Sequence, residues 1–194
     1  MELRILDWIQ TFRTPLGDSL MCLITGIGNA GIIWIVLTCI LLLIPKTRKY
    51  GMVVLAALVL DMVLCNGILK PLVGRARPFT ANPSIQLLVS KPADYSFPSG
   101  HTAAAFAAVS ALFFAGEKKI WKGALVLAVL ITFSRLYLYV HYPTDVLAGV
   151  LVGCICGYAG NWMIFFLMVR RPPRSTLFPY STLFRSLHLR KLMK

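Results

Sequence analysis

Hydrophobic residues in this chain come in unbroken blocks, not in the spaced stripes of a soluble amphipathic fold. Five blocks read as membrane spans, at residues 31 to 44, 51 to 69, 99 to 116, 120 to 139 and 144 to 169, because about 20 apolar helical residues cross a hydrocarbon core. The first ends at Pro45 and can be joined to part of 19 to 28. The third is short but rich in alanine, and small side chains let helices pack closely inside a membrane. Ahead of these blocks, residues 1 to 27 mix Trp8, Phe12 and Leu16 with Arg4, Arg13 and Asp18, a pattern that suits an amphipathic helix on the membrane surface. The pattern predicts an all-α integral membrane protein, a bundle of five transmembrane helices with six as the alternative, and an N-terminal amphipathic helix. Residues 1 to 169 make the membrane-embedded domain, and 170 to 194 a basic tail.

Composition sharpens this picture. Of 194 residues, 58% are hydrophobic and only 14% charged, about half the charge of an ordinary soluble domain. The excess of 20 Lys and Arg over 7 Asp and Glu fits loops lying against anionic lipid, and no nucleic-acid partner is inferred from it. All five cysteines lie inside apolar segments and form no CxxC pair, so no disulfide framework is expected. With three histidines, one of them in the tail, no structural zinc site is expected either.

Charge also orients the chain. Lys46, Arg48 and Lys49, then Lys118, Lys119 and Lys122, then Arg170 and Arg171 fall on one face, which the positive-inside tendency makes cytoplasmic. Segments 70 to 98 and 136 to 143 then face outward, and they hold most of the remaining polar residues. Those residues form three clusters. "KPLVGRARP", from Lys70 to Pro78, sets Lys70, Arg75 and Arg77 at a helix end, where lysine and arginine commonly anchor to headgroups. "PSGH", from Pro98 to His101, reads as a helix start with Ser99 as N-cap; the free N–H groups of such a start also bind anions, and Gly100 admits a phosphate close to the backbone. "SRLYLYVHYPTD", from Ser134 to Asp145, puts Pro143 at the first position of a helix and Asp145 in its first turn. His141 is four residues from Asp145, within reach if the chain turns at Tyr142, and a carboxylate on one imidazole nitrogen leaves the other free as nucleophile or base. Cations from separate helices with two histidines are the parts that phosphoryl transfer needs without a metal.

Lys70, six residues, Arg77 and Pro78; "PSGH"; and Ser134 and Arg135, five residues, His141, three residues, Asp145 together resemble the tripartite signature of the type-2 phosphatidic acid phosphatase superfamily, which includes vanadium haloperoxidases and glucose-6-phosphatase. The resemblance implies that His141 attacks phosphorus and forms a phosphohistidine, that Asp145 orients it, and that His101 protonates the leaving group and later activates water. It implies that Lys70, Arg77, Arg135, Ser99 and Gly100 bind the phosphate, with no metal and no cofactor. A site at the outer membrane surface selects an amphiphile. The small size resembles bacterial members acting on undecaprenyl pyrophosphate in cell-wall synthesis at the plasma membrane; phosphatidic acid, phosphatidylglycerol phosphate and diacylglycerol pyrophosphate are alternatives, and no residue separates them. A soluble haloperoxidase does not fit the spans. A non-enzymatic lipid-phosphate binding or transport protein is the rival of another class, and the presence of both His101 and His141 weighs against it. The oligomeric state is not readable.

Other residues carry weaker readings. Asp61 lies deep in the second block and reads as an acid that is protonated or bonded to a neighbouring helix. Arg75 reads as a headgroup contact, and Tyr137, Tyr139 and Tyr142 as an interfacial aromatic belt. "RRPPRSTLFPYSTLFRS", from Arg170 to Ser186, repeats "STLF", holds no acid and has no burying period. It resembles translated adapter or vector sequence, so the native C-terminus is expected to be missing; a native basic, lipid-associated tail is the other reading. Deleting the chain from Arg171 should leave phosphate release in detergent unchanged, and lost turnover would show the tail to be functional.

Overall fold

A computed structural model describes residues 1–169; the tail, with the expectation attached to it, lies outside them. Met1–Ile164 make one compact unit that contains the whole candidate site, and residues 165 to 169 end the last helix. The described residues are helical and include no strand.

Helix α1, Glu2–Gln10, leaves Trp8 and Phe12 exposed in edge-to-face contact, as a surface helix would. Thr14 starts α2, Pro15–Gly28: its Oγ1 accepts the Gly17 N–H at 3.1 Å, and Pro15 fills the first helical position. One 3₁₀ turn, Asn29–Gly31, kinks the chain into α3, Ile32–Leu43. Ala30 holds a left-handed φ of 50° there, a conformation that a side chain resists. Pro15–Leu43 is long and apolar enough to cross a membrane, so the surface helix expected over 1 to 27 is only α1, and the first span begins at Pro15. Asp18 is tolerated at its start because Arg13 pairs with it at 2.8 Å.

Helix α4, Arg48–Asp61, passes into a π-helical run, Met62–Leu69, and then α5, Lys70–Val73, which stops at Gly74 with φ 60°. The second span thus continues past Leu69, where the sequence pattern ended it. A loop carrying the short α6, Pro78–Ala81, leads to α7, Gly100–Phe114; α8, Ile120–Tyr137, and α9, Pro143–Val169, follow. Arg48–Ala81, Ile120–Tyr137 and Pro143–Met168 are also long and apolar enough to span, while α7 is apolar but shorter. The bundle expected from the apolar blocks is present, and the chain is a multi-pass membrane protein.

Helix α7 forms the centre. It packs on α8 and α4, α3 lies against α4, and α2 and α1 lie against α8. Ala103, Ala105, Ala107, Ala108 and Ala111 are wholly buried, so the alanine run works as a contact surface and gains close backbone packing. Helix α9 meets α7 through glycine. A Cβ on Gly153 would stand 2.4 Å from the Ala103 carbonyl oxygen and 2.8 Å from the Ala107 nitrogen, both backbone atoms that cannot turn aside. Gly153→Ala should therefore destabilise the protein by about 1–3 kcal/mol through overpacking, read as a lowered Tm in detergent. Gly123→Ala, where nothing lies within 4 Å, should not lower it.

Candidate active site

The π-helical run delivers Lys70 to the bundle interior with 9% exposure; such runs often mark functional positions because they shift a helix face. Lys70 Nζ pairs with Asp94 Oδ2 in the loop after α6. Arg77 shares the same acid: Nη2 reaches Asp94 Oδ1 at 2.6 Å, Nε donates to the Asp94 carbonyl at 2.9 Å, and Nη1 donates to the Val140 carbonyl at 2.8 Å. Partial burial opposes ionisation of Asp94, but Lys70 and Arg77 outweigh it and bring the carboxyl down to about 2. Asp94 was not singled out by sequence pattern. The available signal was scarcity, since a chain with only 7 acids seldom sets one in a cation-rich segment without a partner. From α8, Arg135 bonds Thr25 Oγ1 of α2 through Nη1, and its Nε has no partner among the described residues.

Two histidines meet this cation cluster. His141, 1% exposed in the α8–α9 connection, has Nε2 3.3 Å from Arg77 Nη1. Arginine can only donate, so Nε2 presents its lone pair and Nδ1 carries the ring proton. Burial pushes this imidazole down to about 4; Arg77 and Arg135 add to the fall, and Asp145 opposes it. His101, in the first turn of α7, sets Nε2 3.0 Å from Asn29 Oδ1 at the α2–α3 kink. A carbonyl acceptor there puts the His101 proton on Nε2. Asn29 is a second residue that the sequence pattern did not single out, and the strained kink at Ala30 is what brings it to His101.

Asp145 opens α9 with no exposed surface. Its Oδ2 accepts from Ser96 Oγ at 2.5 Å and from the Tyr142 N–H at 2.9 Å, and Oδ1 accepts from Arg75 Nη1 at 2.6 Å. His141 Nδ1 stands 3.6 Å from Oδ2, too far for a hydrogen bond, and has no other partner among the described residues. Histidine and aspartate are thus neighbours, as their spacing predicts, but the carboxylate is held by others.

Lys70, Arg77, Gly100, His101, Arg135 and His141 line a single cavity of about 780 Å³. A Cβ on Gly100 would lie 3.4 Å from Lys70 Nζ, so the absence of a side chain keeps the start of α7 open beside the cation. Ser99 and Asp145 stand behind this wall. Ser99 is wholly buried, its hydroxyl accepts from Thr102 at 3.0 Å, and its N–H donates to the Asp145 carbonyl at 3.0 Å. Arg75 is not a free headgroup contact, because Asp145, Thr144 and Glu2 hold it. The tyrosines are not a belt: Tyr137 and Tyr139 are 5% and 1% exposed and donate to Asp18 and Asp7, fastening the connection to the first two helices, and Tyr142 lies under Arg75. Asp61 lines the deep end of the cavity, and its Oδ1 has no partner among the described residues.

Comparison with known proteins adds an independent line. The profile of the PAP2 superfamily matches residues 50–169. An undecaprenyl-diphosphatase of Sulfolobus acidocaldarius is 35% identical over 136 residues, 70% of this chain and 65% of that protein, so this chain spans somewhat under two thirds of the relative. The crystal structure of Aquifex aeolicus LpxE superposes with a TM-score of 0.70 at 32% identity, covering 82% of this chain and 93% of that one. A transmembrane PAP2-type phosphatidylglycerolphosphate phosphatase from Bacillus subtilis gives 0.67 at 25% identity, covering 89% and 87%.

The buried imidazole makes a stability prediction. Its folded value of about 4 lies below the ordinary 6.5, so between those values the unfolded chain binds a proton that the folded chain refuses. Its contribution is complete above pH 6.5 and is lost as pH falls towards 4. His141→Gln should flatten the Tm-against-pH curve in that window and leave it parallel to wild type above pH 7.

Proposed function

The chain belongs to the PAP2 superfamily, and from that premise we propose that it is a metal-independent lipid phosphatase that works through a phosphohistidine on His141. The observation that carries this reading is the continuity of the cavity. At one end stand three cations and two histidines; at the other, Ile35, Cys39 and Leu42 of α3 face Leu55, Leu58 and Val59 of α4. One space therefore suits an anionic head and an apolar tail, as in an amphiphile whose phosphate sits at the membrane surface.

The chemistry follows from the atoms that face the cavity. Lys70, Arg77 and Arg135 bind the phosphate oxygens, with Gly100 giving backbone access at the start of α7, and Ser99 and Asp145 fix the wall behind. Asp94 already holds Lys70 and Arg77 as an anion would, so substrate phosphate shares or replaces that carboxylate. The lone pair of His141 Nε2 attacks phosphorus, and the bond to the leaving oxygen breaks as His101, made an imidazolium by the bound phosphate, delivers its Nε2 proton and is left neutral. Water then attacks the phosphohistidine, giving its proton to His101, and the P–N bond breaks to release inorganic phosphate. Side-chain cations supply the neutralising charge in this scheme.

Undecaprenyl pyrophosphate is the favoured substrate, supported by the Sulfolobus relative; phosphatidylglycerol phosphate is the second reading, supported by the Bacillus structure. The site faces the outside of the plasma membrane, opposite the basic loops that hold Lys46 and Lys118. Phosphate release by purified protein in EDTA should persist. It should be faster on undecaprenyl pyrophosphate than on phosphatidylglycerol phosphate or phosphatidic acid, and should fall on the order of 10³-fold or more in His141→Ala. Folded protein that releases phosphate from none of these lipids would be a binding or transport protein.

A further inference from the structure

Arg75 is not among the residues that line the cavity, yet three side chains and an aromatic ring hold its guanidinium. Nη1 donates to Asp145 Oδ1 at 2.6 Å and to Thr144 Oγ1 at 2.7 Å, and Nη2 to Glu2 Oε2 at 2.6 Å. The guanidinium lies 3.9 Å over the Tyr142 ring. Glu2, in the first turn of α1, reaches the same junction with its other oxygen: the Thr144 hydroxyl donates to Oε1 at 2.6 Å and the Thr144 N–H at 3.2 Å. A planar fork held on both prongs and stacked on a ring has little freedom, and a lysine could not reproduce the geometry.

The consequence falls on the nucleophile. The Asp145 carboxylate is buried and is shared among Arg75, Ser96, the Tyr142 N–H and, at 3.6 Å, His141 Nδ1. Each donor that engages it draws negative charge away from His141. The charged and titratable groups around His141 are Asp145 from α9, Arg77 from the loop before α6 with Asp94 paired to its other nitrogen, Arg135 from α8 and His101 from α7. Asp94 reaches His141 only through Arg77, whereas Asp145 stands 3.6 Å from Nδ1, so what regulates the Asp145 charge acts on the imidazole.

We infer that Arg75 is a positioning residue that holds and partly neutralises Asp145, and thereby sets how readily His141 accepts a proton or attacks phosphorus. Glu2 completes the relay by holding the other side of the guanidinium. The docking of a membrane-surface helix is in this way wired to the catalytic histidine. The kinetic part of this inference rests on His141 being the nucleophile; the relay itself does not.

Signs separate this relay from a simple scaffold. Arg75→Gln removes a cation beside Asp145, so His141 should take up its proton at higher pH, by about one unit for loss of a charge at such range. Glu2→Gln leaves the Arg75 charge to act on Asp145 alone, and His141 should titrate at lower pH. Arg75→Lys keeps the charge and should stay near wild type in titration while losing turnover from the looser grip.

The experiment is histidine NMR of the full chain in nanodiscs, with the His141 signal assigned by its loss in His141→Gln, beside the pH dependence of kcat/KM for the same variants. Opposite shifts in Arg75→Gln and Glu2→Gln, matched by opposite movements of the acid limb, are expected. Shifts in the same direction, or none, overturn the relay. Opposite NMR shifts with an unmoved acid limb uphold the relay and overturn the reading of His141 as the nucleophile. If Arg75→Gln does not fold, the direction of the shift in Glu2→Gln, whose side chain is 30% exposed, decides.

Discussion

A carboxylate with no exposed surface, Asp145, governs how the site end of this bundle is put together. An ion removed from water must recover its solvation from the protein, and an unpaired one costs several kcal/mol. Here the recovery comes from four separate pieces of chain: Arg75 after α5, Ser96 before α7, the backbone at Tyr142, and Glu2 of α1 through Arg75. The Asp145 carbonyl, besides, receives the N–H of Ser99 and so fixes the start of α7. Satisfying one buried charge thus ties the segments that carry Arg77, His101 and His141 to one another and to α1.

The cations pose the opposite problem. Lys70, Arg77 and Arg135 are all nearly buried around one cavity, and the acid that Lys70 and Arg77 share is Asp94. Their mutual repulsion is strongest when no other anion is present, which is the electrostatic form of affinity for a further anion. Main-chain carbonyls of Asp94 and Val140 hold Arg77 in place at the same time, so its position does not depend on the anion that it binds. Rigid donors that need no rearrangement are the ones that stabilise developing charge most effectively.

How much of this could be read from sequence depended on range. The spans followed from unbroken apolar blocks, and the histidine and aspartate from a four-residue spacing that the Pro143 turn converts into proximity. The alanine run foretold the central helix, because small side chains have one evident use in a membrane. Asp94, Asn29, Ser96 and Glu2 carry no local signature; their partners are 17 to 142 residues away, and only the fold brings them together. Tyr137 and Tyr139 misled because aromatic residues near a span end usually meet lipid, whereas Asp18 and Asp7 offered acceptors that drew them inside. Residues 15 to 18 misled because Arg13 and Asp18 fit a surface pattern, whereas the two pair with each other and let the span begin at Pro15.

The cavity between α3 and α4 has a further meaning for kinetics. Ile35, Leu55, Val59 and Met62 line it and are also about half exposed on the flank of the bundle. A molecule that arrives through such a flank has never been dissolved in bulk water. It is a solute in two dimensions, and occupancy is set by its mole fraction among membrane lipids, whatever the total concentration in the vessel. Adding inert lipid or detergent dilutes the substrate without changing its amount, and lateral diffusion in the sheet takes the place of encounter in solution.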